Sequence, residues 1–444
     1  MRKIIIQKQH HLVKEICQYL EDMLHSTLPE SILDEVKIRM LREYEEAYIR
    51  FRELDESEND IADVVTEIFI AILHPSATRL ECIKCSNHPK IMDGFKMRYF
   101  DLVYSAIQKM KNVRAIGICN ASYFNIKFEL RDYYFYKING NIEEFHCNTG
   151  TNFEIETLSK LCKNLKILNV GDSLDVYEES VPYILKMECL EELDVHYTSI
   201  STEGFNDLLS GLVSTKHSDN KFASECLKKF VCNGLSEEQV FLISDKFPNL
   251  TSLSLLSLEC DLAPLKVLKH LKCLYVNSPT YKFLKELFSS IGGQFVCLNL
   301  GRINDIDLKH IASTCTAVSC LHLRSCPYID SNITEKHLRE LVSVPEFPQI
   351  TNLELSFDNE SGMFIQHMLS GFRNVRCLLL SNCSNNKVFD YLRERKYLKH
   401  LEIAFFKKYR KLNIALQFFE KYVVITDFPE VYSESKISVY SCPI

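Results

Sequence analysis

The chain has 444 residues, 46% of them apolar and 25% charged, with 13 Gly, 12 Pro and a net charge of −7. One hydrophobic core stops growing at roughly 250–300 residues, so this length demands several domains or a repeat architecture. The composition excludes a disordered or low-complexity chain, and no apolar run approaches the roughly 18–20 residues of a membrane span.

At the start, MRKIII offers three isoleucines where a signal-peptide core needs about 7–15 apolar residues, so the expected location is cytoplasmic or nuclear. A disulfide scaffold is short and holds above about 8–10% Cys. Eighteen cysteines spread over this length are expected to be reduced thiols. Residues 1–75 carry 9 Lys/Arg against 16 Asp/Glu, whereas the other 369 carry 43 of each. His11–Leu24 predicts an amphipathic helix with Leu12, Val13, Ile16, Cys17, Leu20 and Leu24 on one broad face. Leu28-Pro29 breaks it, and Pro suits the first turn of a second helix that sets Ile32, Leu33 and Val36 against charged neighbours. Asp60–Leu73 predicts a third. Taken as structure alone, 1–75 is a small all-α cap over the open end of a repeat array.

From 76 to 426 the pattern apolar-x-x-apolar-x-apolar recurs. Its clear copies open at Leu250, Leu271, Val318, Ile350 and Leu398, four more at Leu165, Leu190, Phe295 and Val375, and weaker ones at Leu80, Val113, Ile142 and Leu227. The mean step is 26.5 residues, inside the roughly 20–29 of a leucine-rich repeat. Between copies, Thr157–Cys162, Tyr281–Ile291, Asp305–Thr314 and Phe364–Phe372 show the three- and four-residue spacing of a helix face. Each unit is a short strand followed by a helix, and neither buries its apolar side without stacked neighbours. The fullest copy reads Leu308-x-x-Ile311-Ala312-x-x-Cys315-x-x-Val318-x-x-Leu321-x-Leu323-x-x-Cys326-x-x-Ile329. On these residues the chain resembles the leucine-rich repeat family, with a lean toward its cysteine-containing, ribonuclease-inhibitor-like subtype. The expected fold is an α/β solenoid, a horseshoe of about 13 repeats with a parallel concave sheet and outer helices. Residues 427–444 remain as a C-terminal tail or cap.

Side chains alternate across a strand, so residues between the repeat leucines face the concave side. Those columns are mostly small and neutral, among them Ser252, Ser254, Cys273, Tyr275, Cys297, Asn299, Cys320, His322, Asn352, Glu354 and Cys377, with His400 and Glu402 in the last copy. The candidate partner-binding residues are Glu192, Asp194, His196, Ser252, Ser254, Tyr275, Asn299, His322, Arg324 and Glu354, forming a groove for a protein partner. Nucleic acid is not expected, because phosphate binding needs clustered Lys/Arg and these columns hold one Lys. The basic run Lys407, Lys408, Arg410 and Lys411 falls after the last expected strand. No metal or cofactor is expected: Cys82 should face the concave side and Cys85 the core, and the cysteine column reads as small side chains at a repeat position. GxxxxGK[ST], GxGxxG, HExxH and GxSxG are absent, so no enzyme is expected.

The N-terminal helices carry a second resemblance. Leu28-Pro29-x-x-Ile32-x-x-x-Val36 looks like the cullin-contacting box of the von Hippel–Lindau type, and Val13-x-x-x-Cys17 with Ile16 and Leu20 is similar to the elongin-binding box, with Val in place of Leu. The same Leu-Pro pattern also fits the opening of an F-box. Substrate receptors of cullin–RING ubiquitin ligases combine such a box with leucine-rich repeats. The resemblance therefore implies either an elongin B/C–cullin-2 partner or an SCF adaptor–cullin partner, with a protein substrate on the concave face. A plain interaction scaffold with a helical cap is the remaining reading.

Overall fold

The computed structural model describes residues 140–324 almost throughout, the stretches 78–82, 112–118, 344–356 and 368–381, isolated positions elsewhere, and the backbone of 403–407, 416–419 and 422–426. It has two compact units, Met1–Ala223 and Ser224–Ile444. No helix among the described residues is long and apolar enough to cross a membrane.

In the first unit, β1 (Arg79–Cys82), β2 (Ala115–Ile118), β3 (Glu144–Cys147), β4 (Ile167–Asn169) and β5 (Glu192–Asp194) pair in order, every pair parallel. A parallel pair needs a crossover. Helix α1 (Asn152–Leu161) and a short helical turn at Val181–Ile184 supply two of these, and α2 (Thr202–Ser214) follows β5. The start of α1 is fixed by a capping box: Thr151 Oγ1 accepts from the Glu154 N–H, and the Glu154 carboxylate accepts from the Thr151 N–H at 3.0 Å. Its inner face buries Ile155 and Leu158 completely.

The second unit repeats the scheme. Strands β6 (Lys229–Cys232), β7 (Ser252–Leu255), β8 (Cys273–Asn277), β9 (Cys297–Gly301), β10 (Cys320–Arg324), β11 (Asn352–Ser356), β12 (Cys377–Ser381) and β13 (Ile403–Lys407) are parallel in sequence order. Between them lie α3 (Glu237–Lys246), α4 (Lys282–Ile291) and α5 (Leu308–Thr314). The sheet closes with β15 (Tyr422–Thr426) parallel to β13 and β14 (Leu416–Phe419) antiparallel at the edge. The leucine-rich repeat solenoid expected from the periodicity is thus the fold.

Two rows of repeat residues make the core. Phe230, Leu253, Leu274, Leu298, Leu321, Leu353 and Leu378 stand in one register row, and Cys232, Leu255, Val276, Leu300, Leu323, Leu355 and Leu380 in the next, all buried. Each full leucine burial contributes about 1.5–3 kcal/mol. A third row lies three residues before the opening residue of these copies. The openers Leu165, Leu190, Leu250, Leu271, Phe295, Val318 and Ile350 donate their N–H to its carbonyls at 3.2–3.3 Å. That turn tucks Cys162, Met187, Phe247, Leu268, Cys315 and Phe347 under the strands. At two successive third-row positions the Phe347 and Phe372 rings stack, with centroids 4.8 Å apart.

Eleven interior copies hold the expected frame, and the two end copies are corrected. Leu80 pairs with Ile116 and Cys82 with Ile118, so Cys82 takes a core register position rather than a concave one. At the other end Ile403 pairs with Cys377 and Phe405 with Leu379, displacing His400 and Glu402 from the columns. Both shifts are three residues. Lys407 is therefore the last residue of β13, while Cys85, Lys408, Arg410 and Lys411 lie outside the described residues. The first expected repeat helix starts earlier, at Asn152. In α5, Asp307 becomes the N-cap, accepting from the His310 N–H at 3.0 Å. Of Phe364–Phe372 only 368–372 is described, helical at Met368 and Leu369.

In the N-terminal region, Glu15, Gln18, Tyr19 and Asp22 are helical and exposed, and Gln18 Nε2 donates to Asp22 Oδ1 at 3.2 Å. These are the polar positions of the expected first helix. Val13, Ile16, Cys17, Leu20, Leu28, Pro29, Ile32 and Val36, and with them the adaptor and cullin assignments, lie outside the described residues.

Candidate functional site

Opposite the leucine rows, the strands of the second unit carry two rows that alternate with them. One runs Ser252, Cys273, Cys297, Cys320, Asn352, Cys377; the other runs Ser254, Tyr275, Asn299, His322, Glu354, Leu379. A third, at the strand ends, runs Asn277, Gly301, Arg324, Ser356. Parallel pairing in register makes same-row residues on adjacent strands side-by-side neighbours. Ser252, Ser254 and Tyr275 are half-buried, and the Tyr275 hydroxyl accepts from Asn277 Nδ2 at 3.3 Å.

The rows converge on a buried polar cluster at β10 and β11. Glu354 Oε2 accepts from His322 Nδ1 at 2.5 Å and from Arg324 Nη2 at 2.9 Å. A carboxylate only accepts, so Nδ1 carries the proton, and the other ring nitrogen, Nε2, lies 2.9 Å from Cys320 Sγ. Cys320 has no exposed surface, and His322 and Glu354 are 3% and 5% exposed. Burial works against charge on His322, but hydrogen bonds to Cys320 and Glu354, with their charges, outweigh it and hold the imidazole up to about 9. For Glu354 burial alone would raise the carboxyl. The His322 bond, the Arg324 and His322 charges and the Arg324 bond bring it down to about 2. Cys297, next to Cys320 in its row, also brings its sulfur near: the donor atoms of Cys297, Cys320 and His322 all lie within 4.8 Å of one another. By contrast, burial pushes the core thiols Cys162 and Cys315 up to about 11, which leaves them as small apolar fillers.

The first unit has its own cluster at the end of β5. Asp194 Oδ1 accepts from His196 Nδ1 at 2.5 Å, and His196 Nε2 faces Asp172 Oδ2 at 3.6 Å. Burial opposes the charge here too, but the facing Asp172 carboxylate and the bond to and charge of Asp194 raise His196 to about 10. Two features of the repeat frame build this site. Gly171 leaves space for the ring, since a Cβ there would sit 2.1 Å from His196 Cε1. Asp172 and Tyr197 adopt positive φ, 66° and 47°, seven positions after Leu165 and Leu190, and Arg302 (φ 56°) does the same after Phe295. The chain leaves the sheet through one left-handed residue at a fixed point of these copies.

The structure therefore gathers the candidate residues into two groups, Asp194 with His196 and His322 with Arg324 and Glu354. Glu192, Ser252, Ser254, Tyr275 and Asn299 stand in the rows around them. Asp194, a groove residue by its column, is 6% exposed and committed to His196. Sequence reasoning missed Asp172, Gly171 and the approach of Cys297 and Cys320 to His322. The repeat frame does contain that signal, because it sets Cys320 and His322 on one face two residues apart.

No family model matches the chain, and no curated protein does. Among solved structures it is similar to the Rad7–Elc1 complex of yeast at 12% identity and TM-score 0.43, over 74% of this chain and 88% of that one. It is also similar to an internalin of Listeria monocytogenes (12%, TM-score 0.33, 73% and 83%) and to a leucine-rich repeat protein of Leptospira interrogans (15%, 0.27, 68% and 86%). The parallel register, rather than these likenesses, defines the fold.

Proposed function

We propose that the chain is a non-enzymatic protein-recognition scaffold, and that residues 11–36 dock it on a cullin-ligase adaptor so that the strand rows present a protein substrate for ubiquitin transfer. The observation that carries the recognition half is the row pair on β7 and β8, where Ser252, Ser254, Cys273 and Tyr275 are half-buried side chains without formal charge, held in strict register by a leucine core. An extended surface of fixed spacing suits a polypeptide partner better than a small molecule. The near absence of Lys and Arg from it disfavours nucleic acid, which needs clustered cations.

The ligase half rests on the sequence patterns Val13-x-x-x-Cys17 and Leu28-Pro29-x-x-Ile32-x-x-x-Val36. Helix-in-groove docking depends on a few apolar anchors, so Cys17→Lys with Leu20→Asp removes two of them. Affinity purification of the full chain from cells is expected to recover elongin B/C and a cullin, and the double variant to lose both while keeping its circular dichroism. Recovery of an SCF adaptor instead selects the F-box reading. Recovery of no adaptor by the wild-type chain refutes the ligase half and leaves the scaffold.

A further inference from the structure

We propose that Cys297, Cys320 and His322 form a zinc site in the second unit, oriented by Glu354 and independent of any adaptor.

The three donors come from two neighbouring strands. Cys297 and Cys320 are direct register partners on β9 and β10, and His322 follows Cys320 on the same face. The two sulfurs and the imidazole nitrogen lie within 4.8 Å of one another, close enough to surround one ion. His322 is arranged as a metal-binding imidazole is: one nitrogen donates to a carboxylate, Glu354 Oε2, and the other points at a ligand sulfur, Cys320 Sγ. Arg324 in turn holds that carboxylate oxygen at 2.9 Å. Asn299, the register partner of His322 on the adjoining strand, is 7% exposed, and its Oδ1 accepts no hydrogen bond. An orphaned buried acceptor beside three ligands offers an oxygen for the fourth position.

Charge favours the assignment. Zn²⁺ with two thiolates and a neutral imidazole sums to zero, and the Glu354 charge is offset by Arg324, so the loaded site adds no net charge to a buried place. Thiolate and imidazole donors select zinc over magnesium or calcium. Loading releases the two thiol protons, and the His322 Nε2 proton where one is present, without change of oxidation state. Complete burial of Cys320 suits a closed ion site better than a nucleophile that a substrate must reach.

The test uses the tag-free full chain, stripped with chelator and titrated with Zn²⁺ or Co²⁺. One equivalent is expected to bind. Cobalt should give a tetrahedral spectrum with thiolate charge transfer, and zinc X-ray absorption a shell of two sulfurs at about 2.3 Å and two nitrogen or oxygen donors at about 2.0–2.1 Å. Cys297→Ser should lower the sulfur count to one and weaken binding at least tenfold, while Cys273→Ser, one strand along the same row, leaves both unchanged. If Cys297→Ser does not fold, the wild-type shell still decides. Absence of stoichiometric binding, a shell of four sulfurs or of none, or indifference to a folded Cys297→Ser overturns the proposal.

Discussion

Replacing Glu354 by Gln keeps the shape of the side chain and deletes one charge. In the metal-free chain the carboxylate accepts from both His322 and Arg324 and is 5% exposed, so the amide leaves two buried donors facing a neutral group. Removing one partner of a buried ion pair costs about 3–5 kcal/mol. A repeat array transmits such a loss mainly to adjacent repeats and unfolds in parts, so a single midpoint would blur it. The informative assay is amide hydrogen exchange on chelator-treated protein, reading Cys320–Arg324 and Asn352–Ser356 against Ser252–Leu255. At 1.36 kcal/mol per decade, exchange in β10 and β11 should quicken by roughly 150- to 5,000-fold, with β7 little changed. Glu354→Leu with Arg324→Met, which removes both charges, should recover part of the protection. Less than a tenfold change, or equal change in β7, would refute the buried network as described.

His196 is held up to about 10, against about 6.5 in an unfolded chain. A raised histidine stabilises fully below about pH 6.5 and loses that contribution as pH climbs through about 10. Its imidazole carbon resonance should accordingly titrate near 10, and at lower pH in Asp194→Asn, which keeps the burial and the Asp172 carboxylate but loses the closer partner; a wild-type midpoint near 6.5 contradicts the pairing. Gly171→Ala places a Cβ 2.1 Å from His196 Cε1 and 3.0 Å from Asp194 Oδ1. It should destabilise the first unit by about 1–3 kcal/mol and lower the His196 midpoint, and an unmoved midpoint would contradict the packing. Ser236→Ala removes the capping box that Ser236 forms with Gln239 at the start of α3. Urea melts should show a loss of about 1 kcal/mol there, against none for the exposed Ser290→Ala.

The interior of the fold was legible because Leu-x-x-Leu-x-Leu fixes both the face and the frame, and a slip of one residue would turn the leucines to the polar side. The ends were not. Leu80, Ile83 and Cys85 fit the pattern, but so do Ala77, Leu80 and Cys82; Leu398, Leu401 and Ile403 compete with Leu401, Ala404 and Phe406 in the same way. A three-residue slip keeps apolar residues at core positions in both frames, and only the pairing with Ile116 or Cys377 resolves it. The groove residues were readable by column, but their commitments were not. Whether Asp194 faces solvent or His196 depends on the space left by Gly171, and the His322 contacts depend on which cysteine stands across the strand.

Recognition by the strand rows is tested most directly by site-specific photo-crosslinking of the full chain in cells. A photoreactive residue at Glu192, Ser254 or Tyr275 samples the rows, and one at Phe241 or Lys285 samples exposed helix positions. The rows are expected to yield a common set of protein adducts that the helix positions do not. The same adducts from Phe241 and Lys285, with none from Ser254 and Tyr275, would contradict the account.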